Sequence, residues 1–285
     1  GRRTNFVVGN SQFLIVEADE YQRAFLNLSP KILVVTNIDL DHLDYYHDLA
    51  DIQSAFSELV AKVPVAGSII ANITQVNLVP VLTAAKAKII DYSQLGGEAS
   101  KLSLQVPGQH NIYNAKAALG VAQVLGVEMA TAVEALNKFS GTWRRFEFKG
   151  QTTSGALVYD DYAHNPPKVK AALQGAREAF PDKKIIAVFQ PHLYSRTKAL
   201  FNDFVTAFAD ADEVLVTPIY AAREKADPTV SSENLVQAIS QTGKPVHYCG
   251  TLAETTSYLK QSTGPKDLIL LLGAGDISLV GSSLL

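Results

Sequence analysis

Of the 285 residues, 47% are apolar and 19% charged, which excludes a disordered chain and supplies more apolar mass than one ordinary core uses. A formal charge of −3, from 25 basic and 28 acidic residues, gives no general attraction for nucleic acid or anionic lipid. The longest apolar runs, such as Asp267-Leu-Ile-Leu-Leu-Leu-Gly273, stop far short of the ~20 residues that cross a bilayer, and the opening carries no secretory pattern. The single Cys249 rules out an intrachain disulfide and a Cys-built metal site, and suits a reducing, cytoplasmic setting.

Short β-branched runs alternate with helical patterns, so the expected class is α/β with mainly parallel sheets. After a basic, structureless Gly1-Arg-Arg-Thr opening, strands are expected at Phe13-Leu-Ile-Val16, Ile32 to Thr36, Ser68 to Ala71 and Lys88 to Asp91. A helix from about Leu49 to Lys62 separates the second and third. Helices follow from Asn111 to Leu125, closing at Gly126, and from about Thr131 to Lys138, closing near Gly141. A domain boundary is expected near Lys149-Gly150. Beyond it, strands at Ala156 to Asp160, Lys184 to Phe189, Glu213 to Thr217, Val246 to Tyr248 and Leu268 to Leu272 alternate with helices at about Pro167 to Ala179, Lys198 to Ala209, Glu233 to Ser240 and Leu252 to Gln261. That pattern is a complete doubly wound unit.

Open α/β sheets bind ligands at the carboxyl ends of their strands, which is where the polar clusters fall. Glu17-Ala-Asp-Glu20 follows the first expected strand and Asn37-Ile-Asp-Leu-Asp-His42 the second. Oxygen ligands with one imidazole suit Mg²⁺ held against phosphates. Taken alone, each cluster reads more readily as a solvated turn or helix N-cap; at successive strand ends they favour a site. Gln109-His-Asn-Ile-Tyr-Asn114 opens a helix with a ring for stacking and amides for a base edge, although Asn111 could simply cap that helix. Trp143-Arg-Arg-Phe-Glu147 sets two guanidinium groups beside the expected boundary, suited to phosphate or to surface ion pairs. Asp160-Asp-Tyr-Ala-His-Asn-Pro166 and Gln190-Pro-His-Leu-Tyr-Ser-Arg-Thr197 leave two later strands as crowded polar loops. Gly273-Ala-Gly275 is a weak dinucleotide signal that tight packing explains equally well.

Six of these motifs, in this order, resemble the Mur ligase family: Glu17 to Glu20, Thr36 to His42, Pro107 to Asn114, Arg144 to Glu147, Asp160 to His164, and Gln190-Pro-His192 with Ser195-Arg-Thr197. The resemblance implies part of a central ATPase domain, residues 1–149, followed by a Rossmann-like amino-acid-binding domain, residues 150–285. It implies a cytoplasmic, ATP- and Mg²⁺-dependent ligase of peptidoglycan synthesis that joins L-alanine to UDP-N-acetylmuramate through an acyl phosphate. By position, Glu17 and His42 resemble the Mg²⁺ ligands, and His110, Asn111 and Asn114 the adenine contacts. Arg145 resembles the arginine that reaches the nucleotide phosphates, and Asp161 the acidic residue that binds ribose or docks the C-terminal domain. Tyr162, His164, His192 and Arg196 resemble residues around the incoming amino acid and the muramyl carboxylate, with His164, His192 and Arg196 closest to the chemistry.

Leu193 departs from the family pattern, which often has a basic residue after the motif's His. No Gly-x-x-x-x-Gly-Lys-Ser/Thr phosphate loop occurs in these residues, so the chain reads as the later part of a ligase, expected to be inactive alone. A murein tripeptide recycling ligase is the alternative within the family, disfavoured by Gln190-Pro-His192. Outside it stand a nicotinamide-dependent dehydrogenase, supported only by wound sheets and Gly273-Ala-Gly275, and a non-catalytic binding fragment.

Overall fold

A computed structural model describes residues 6–42 and 45–285; the Gly1-Arg-Arg-Thr opening lies outside them. The chain forms two compact units that divide between Ser93 and Gln94.

The first unit is a three-stranded parallel sheet of β1 (Ile32–Val35), β2 (Ser68–Ala71) and β3 (Lys88–Asp91), in that order. Parallel neighbours need crossovers, and α1 (Leu49–Lys62) and α2 (Val79–Leu82) supply them. Asp48 caps α1 by accepting from the Asp51 N–H, and the helix stops at Val63, whose extended backbone is what a following proline requires. Ile52, Ala55, Leu59 and Val60 lie on one helical face and are buried with Leu33, Val35 and Ile69. The strand expected at Phe13 to Val16 does not form. Ile15 is 91% exposed, so among the described residues the run has neither a ladder partner nor covered faces, and an apolar run becomes a strand only with both.

The second unit opens with α3 (Gln109–Val124) and α4 (Met129–Asn137), packed through Leu119 and Val133. Its six-stranded sheet runs β4 (Glu147–Gln151), β5 (Leu157–Asp161), β9 (Asp267–Leu272), β6 (Lys184–Phe189), β7 (Glu213–Val216) and β8 (Val246–Tyr248). Only β4 is antiparallel. Alternation along the strands serves two covered faces. Ile185, Ala187 and Phe189 pack with α5 (Pro166–Ala179), α7 (Phe201–Val205) and α8 (Ser232–Ser240), whereas Ile186 and Val188 pack with α9 (Leu252–Ser262) and α10 (Ser278–Leu284).

Two departures from expectation have local causes. The helix expected at Lys198 to Ala209 is two short helices, α6 (Tyr194–Ala199) and α7, broken at Leu200. β4 was not anticipated because Glu-Phe-Lys-Gly-Gln is a polar, bulged edge strand without strong alternation. Lys149-Gly150 lies inside β4, and the division between Ser93 and Gln94 is one of compactness.

Candidate active site

The second sheet reverses its winding where β5, β9 and β6 meet, because α5 leaves one face and α10 the other. Such a reversal opens a crevice at the strands' carboxyl ends. The loops after β5, β6, β7 and β9 all reach it. Asn165 caps α5 by accepting from the Lys168 N–H, which fixes the Tyr162 to Asn165 loop at its far end. His164 Nδ1 lies 2.8 Å from the Tyr162 carbonyl oxygen. A carbonyl only accepts, so Nδ1 carries the proton and Nε2 does not when the ring is neutral.

His192 lies with its ring centre 6.0 Å from that of His164. Its Nδ1 is 3.2 Å from Arg196 Nη1; arginine only donates, so this Nδ1 accepts and the neutral ring's proton sits on Nε2. The two histidines are therefore in opposite tautomers. Burial, reinforced by the Arg196 charge, holds the His192 pKa below the ordinary histidine value, which keeps the ring neutral. The structure thus brings together Tyr162, His164, His192 and Arg196.

Arg144, not Arg145, is the buried arginine. Its side chain is 5% exposed, its Nε lies 3.1 Å from Asp160, and its two terminal nitrogens donate to the carbonyls of Gly275 and Gly273. This clamp ties the start of β4 to the ends of β5 and β9. Arg145 is exposed, sits 5.8 Å from the Tyr162 ring centre, and makes no side-chain hydrogen bond among the described residues, so its charge is available to an anion. Asp161 is buried and accepts from the backbone N–H groups of Phe146 and Ala163, one on each oxygen. Burial raises its pKa despite those bonds. Both bonds come from backbone donors of the neighbouring loops, so Asp161 braces the Phe146 and Ala163 turns.

His110 opens α3 beside α5. A cavity of about 220 Å³ there is lined by Gly108, Gln109, His110, Tyr113, Ala171, Gln174 and Gly175. Two glycines make the approach possible. Gly108 has φ of 98°, and a Cβ there would stand 2.7 Å from the His110 ring; a Cβ on Gly175 would press on the Gly108 backbone at 3.3 Å. Burial lowers the His110 pKa although part of the ring is open, with Asp161 opposing and Arg145 assisting, so these three groups share one electrostatic neighbourhood. Asn111 donates to the Pro107 carbonyl and braces its own turn, whereas Asn114 is exposed on α3.

In the first unit, His42 Nε2 lies 3.3 Å from Glu20, and its ring packs 5.0 Å from that of Tyr21. That hydrogen bond lowers the Glu20 pKa. Glu17 is exposed and makes no hydrogen bond or ion pair among the described residues, so the pairing is His42 with Glu20 rather than with Glu17. Asp19, Asp39 and Asp41 each accept from a backbone N–H one or two residues on, the self-capping turn that was the simpler reading of both clusters. Among the described residues no group of three or more His, Cys, Asp or Glu side chains is arranged to hold a metal ion. These donors do not by themselves fit a protein-built Mg²⁺ site.

Other residues brace the crevice, and of these Tyr220 was not singled out from sequence. Gln190 donates to Asp276 and accepts from the Ile277 N–H, locking the β6 and β9 ends together. Tyr220 stacks on His192 at 5.7 Å and 15°. Its signal was available: it lies just past the end of β7, and the strand-end rule applied to the neighbouring strands extends to it. Gly273 and Gly275 face Gln190 and, at Gly275, Tyr220, in space that a Cβ would fill, while Arg144 holds their carbonyls. Close packing accounts for both glycines, so they lend no support to the dehydrogenase reading.

A doubly wound unit with a polar strand-end crevice and a small slot beside His110 has counterparts among known proteins. Residues 4–122 match the Mur ligase middle domain and residues 144–275 the Mur ligase glutamate ligase domain. The chain belongs to the Mur ligase family of ATP-dependent amide-bond-forming ligases. UDP-N-acetylmuramate–L-alanine ligases from Caldanaerobacter subterraneus subsp. tengcongensis and Desulfosudis oleivorans are each 40% identical to it, over 99% of the chain and 66% and 67% of their own lengths. The crystal structure of UDP-N-acetylmuramate-alanine ligase from Thermotoga maritima is similar with a TM-score of 0.71 at 26% identity, covering 92% of this chain and 60% of that one. A murein peptide ligase from Psychrobacter arcticus shares the fold, with a TM-score of 0.62 at 22% identity over 94% of this chain and 61% of that one. No helix among the described residues is long and apolar enough to cross a membrane.

Proposed function

We propose that these residues serve a cytoplasmic ligase that adds L-alanine to UDP-N-acetylmuramate. In that reaction the muramyl carboxylate attacks the γ-phosphorus of ATP, giving an acyl phosphate and ADP. The amine of L-alanine then attacks the acyl carbon; the C–N bond forms, the bond to phosphate oxygen breaks, and the amine's proton passes to a base. The observation that carries this reading is the convergence of Tyr162, His164, His192 and Arg196 on one crevice, in a chain 40% identical to alanine-adding ligases. Arg196 supplies positive charge for the amino-acid carboxylate. His164, with an unprotonated Nε2, suits acceptance of the amine's proton, and the Nε2–H of His192 suits donation to an oxyanion.

The slot at His110 and Tyr113 is proposed for adenine, with Arg145 toward the phosphates. Mg²⁺ would then enter chiefly with the nucleotide's phosphate oxygens, the usual manner for this ion. Phosphoryl transfer depends on positioning and charge, and these 285 residues contain no Walker-type phosphate loop, so they are not expected to release phosphate from ATP on their own.

Titration of the labelled chain with L-alanine tests the reading. Resonances of His164, His192 and Arg196 should shift together, and more for L-alanine than for D-alanine. Shifts confined to His110 and Tyr113, or equal for both enantiomers, would overturn the amino-acid assignment.

A further inference from the structure

Beyond β6 and β7 the sheet does not simply end. The Leu193 N–H donates to the Tyr220 carbonyl and the Tyr220 N–H to the Pro191 carbonyl, so His192 and Tyr220 form a parallel bridge past the last strand residues. The bridge brings the two rings face to face, 5.7 Å apart and 15° from parallel. Four residues on, Glu224 accepts from the Ser195 N–H at 3.1 Å and from the Ser195 hydroxyl, which fixes the first turn of α6. That turn carries Arg196. The loop from Pro218 to Glu224 therefore holds both ends of the His192–Arg196 contact, one by its backbone and ring and the other by a carboxylate.

We infer that Tyr220 is a positioning residue that holds His192 over Arg196 as a neutral Nε2–H donor, so that His192 donates to the amino-acid carboxylate or the reaction's oxyanion and does not serve as the base. The geometry leaves the ring few alternatives. A flip that turned Nδ1 away from Arg196 would break the 3.2 Å contact. A tilt would leave the Tyr220 face, which lies 15° from the imidazole plane. The charged and titratable groups around the ring are Arg196 on α6, Arg223 and Glu224 on the β7 loop, and His164 on the β5 loop. Two arginines against one carboxylate disfavour the imidazolium, in the same direction as burial. His164 makes an internal contrast, because its tautomer is set by the Tyr162 carbonyl and owes nothing to Tyr220.

The inference rests on the proposed amino-acid site but is tested separately from it. Long-range ¹⁵N–¹H correlation spectra of the histidine-labelled chain report the tautomer and pKa of each ring directly. His192 should appear as the Nε2–H tautomer and His164 as the Nδ1–H tautomer. Tyr220→Ala should give His192 a mixture of tautomers and raise its pKa toward the ordinary value, leaving His164 unchanged; Tyr220→Phe, which keeps the ring, should restore the wild-type pattern. Amide fingerprints verify that each variant is folded. His192 found as Nδ1–H in the wild-type chain would overturn the inference. So would a folded Tyr220→Ala chain with an unaltered His192 tautomer and pKa. Failure of L-alanine to shift any of these resonances would instead count against the amino-acid site.

Discussion

Replacing Arg144 with Met should destabilise the second unit by about 3–5 kcal/mol, the usual effect of removing one partner of a buried ion pair. The magnitude follows from what is left behind. Asp160, 1% exposed at its side chain, loses its counter-ion, and the carbonyls of Gly273 and Gly275 lose charged donors in a crevice wall where little water reaches. With a urea m-value of about 2 kcal/mol/M for a unit of this size, even 3 kcal/mol moves the midpoint down by about 1.5 M. The sign of the pH dependence is also fixed. Burial already raises the Asp160 pKa while Arg144 opposes the rise, so without Arg144 it climbs further. A group whose folded pKa is raised is best tolerated at low pH and destabilises as pH rises through that pKa. The gap between wild type and Arg144→Met should therefore be full at pH 8 and shrink as pH falls below the raised value, because the orphaned carboxyl takes up a proton. Urea titrations by circular dichroism at a series of pH values, with amide exchange at β5 and β9 as the local reporter, measure both. A gap under about 1 kcal/mol, or one that does not change between pH 8 and pH 4, would refute the reasoning.

Tyr258 donates to Glu213, and that bond pushes its pKa up to about 12. The stabilisation is complete below about pH 10 and is lost as pH rises toward about 12, so Tyr258→Phe should flatten the alkaline limb of the stability profile, read from thermal melts in that range. Gly108→Ala places a Cβ against the His110 ring at a backbone angle that L residues avoid. It should lower stability by about 1–3 kcal/mol and weaken adenine-nucleotide shifts at Tyr113, while leaving the L-alanine response of His192 intact; parallel titrations of the variant decide this. A piece beginning at Thr142 keeps Arg144 and all of β4 and should melt cooperatively, whereas one beginning at Thr152 loses both and should show broadened amide resonances. Equal cooperativity of the two pieces by calorimetry would remove β4 and the clamp from the account of the fold.

The parallel strands of the second sheet were legible in the sequence because burial on both faces forces continuous runs such as Ile185 to Phe189 and Leu268 to Leu272. That rule has no purchase on β4, whose ladder is antiparallel and whose side chains serve an edge. It misleads at Phe13 to Val16, where an apolar run has the composition of a strand but no neighbour among the described residues. The site shows the same division. Residues that end a recognisable strand, His164 and His192 among them, were placed by counting along the chain. Which of two adjacent arginines is buried was not readable that way, since Arg144 and Arg145 have the same chemistry and opposite environments. That choice follows from alternation, with Asp160 and Asp161 presenting their carboxylates to opposite sides of β5, so that one receives the Arg144 guanidinium and the other the backbone of Phe146. Tyr220 is the remaining case. Its place past a strand end marks it as a crevice residue, but its contact becomes visible only when the β6 and β7 ladders are seen to continue for one more bridge, bringing an aromatic face onto the histidine already expected there.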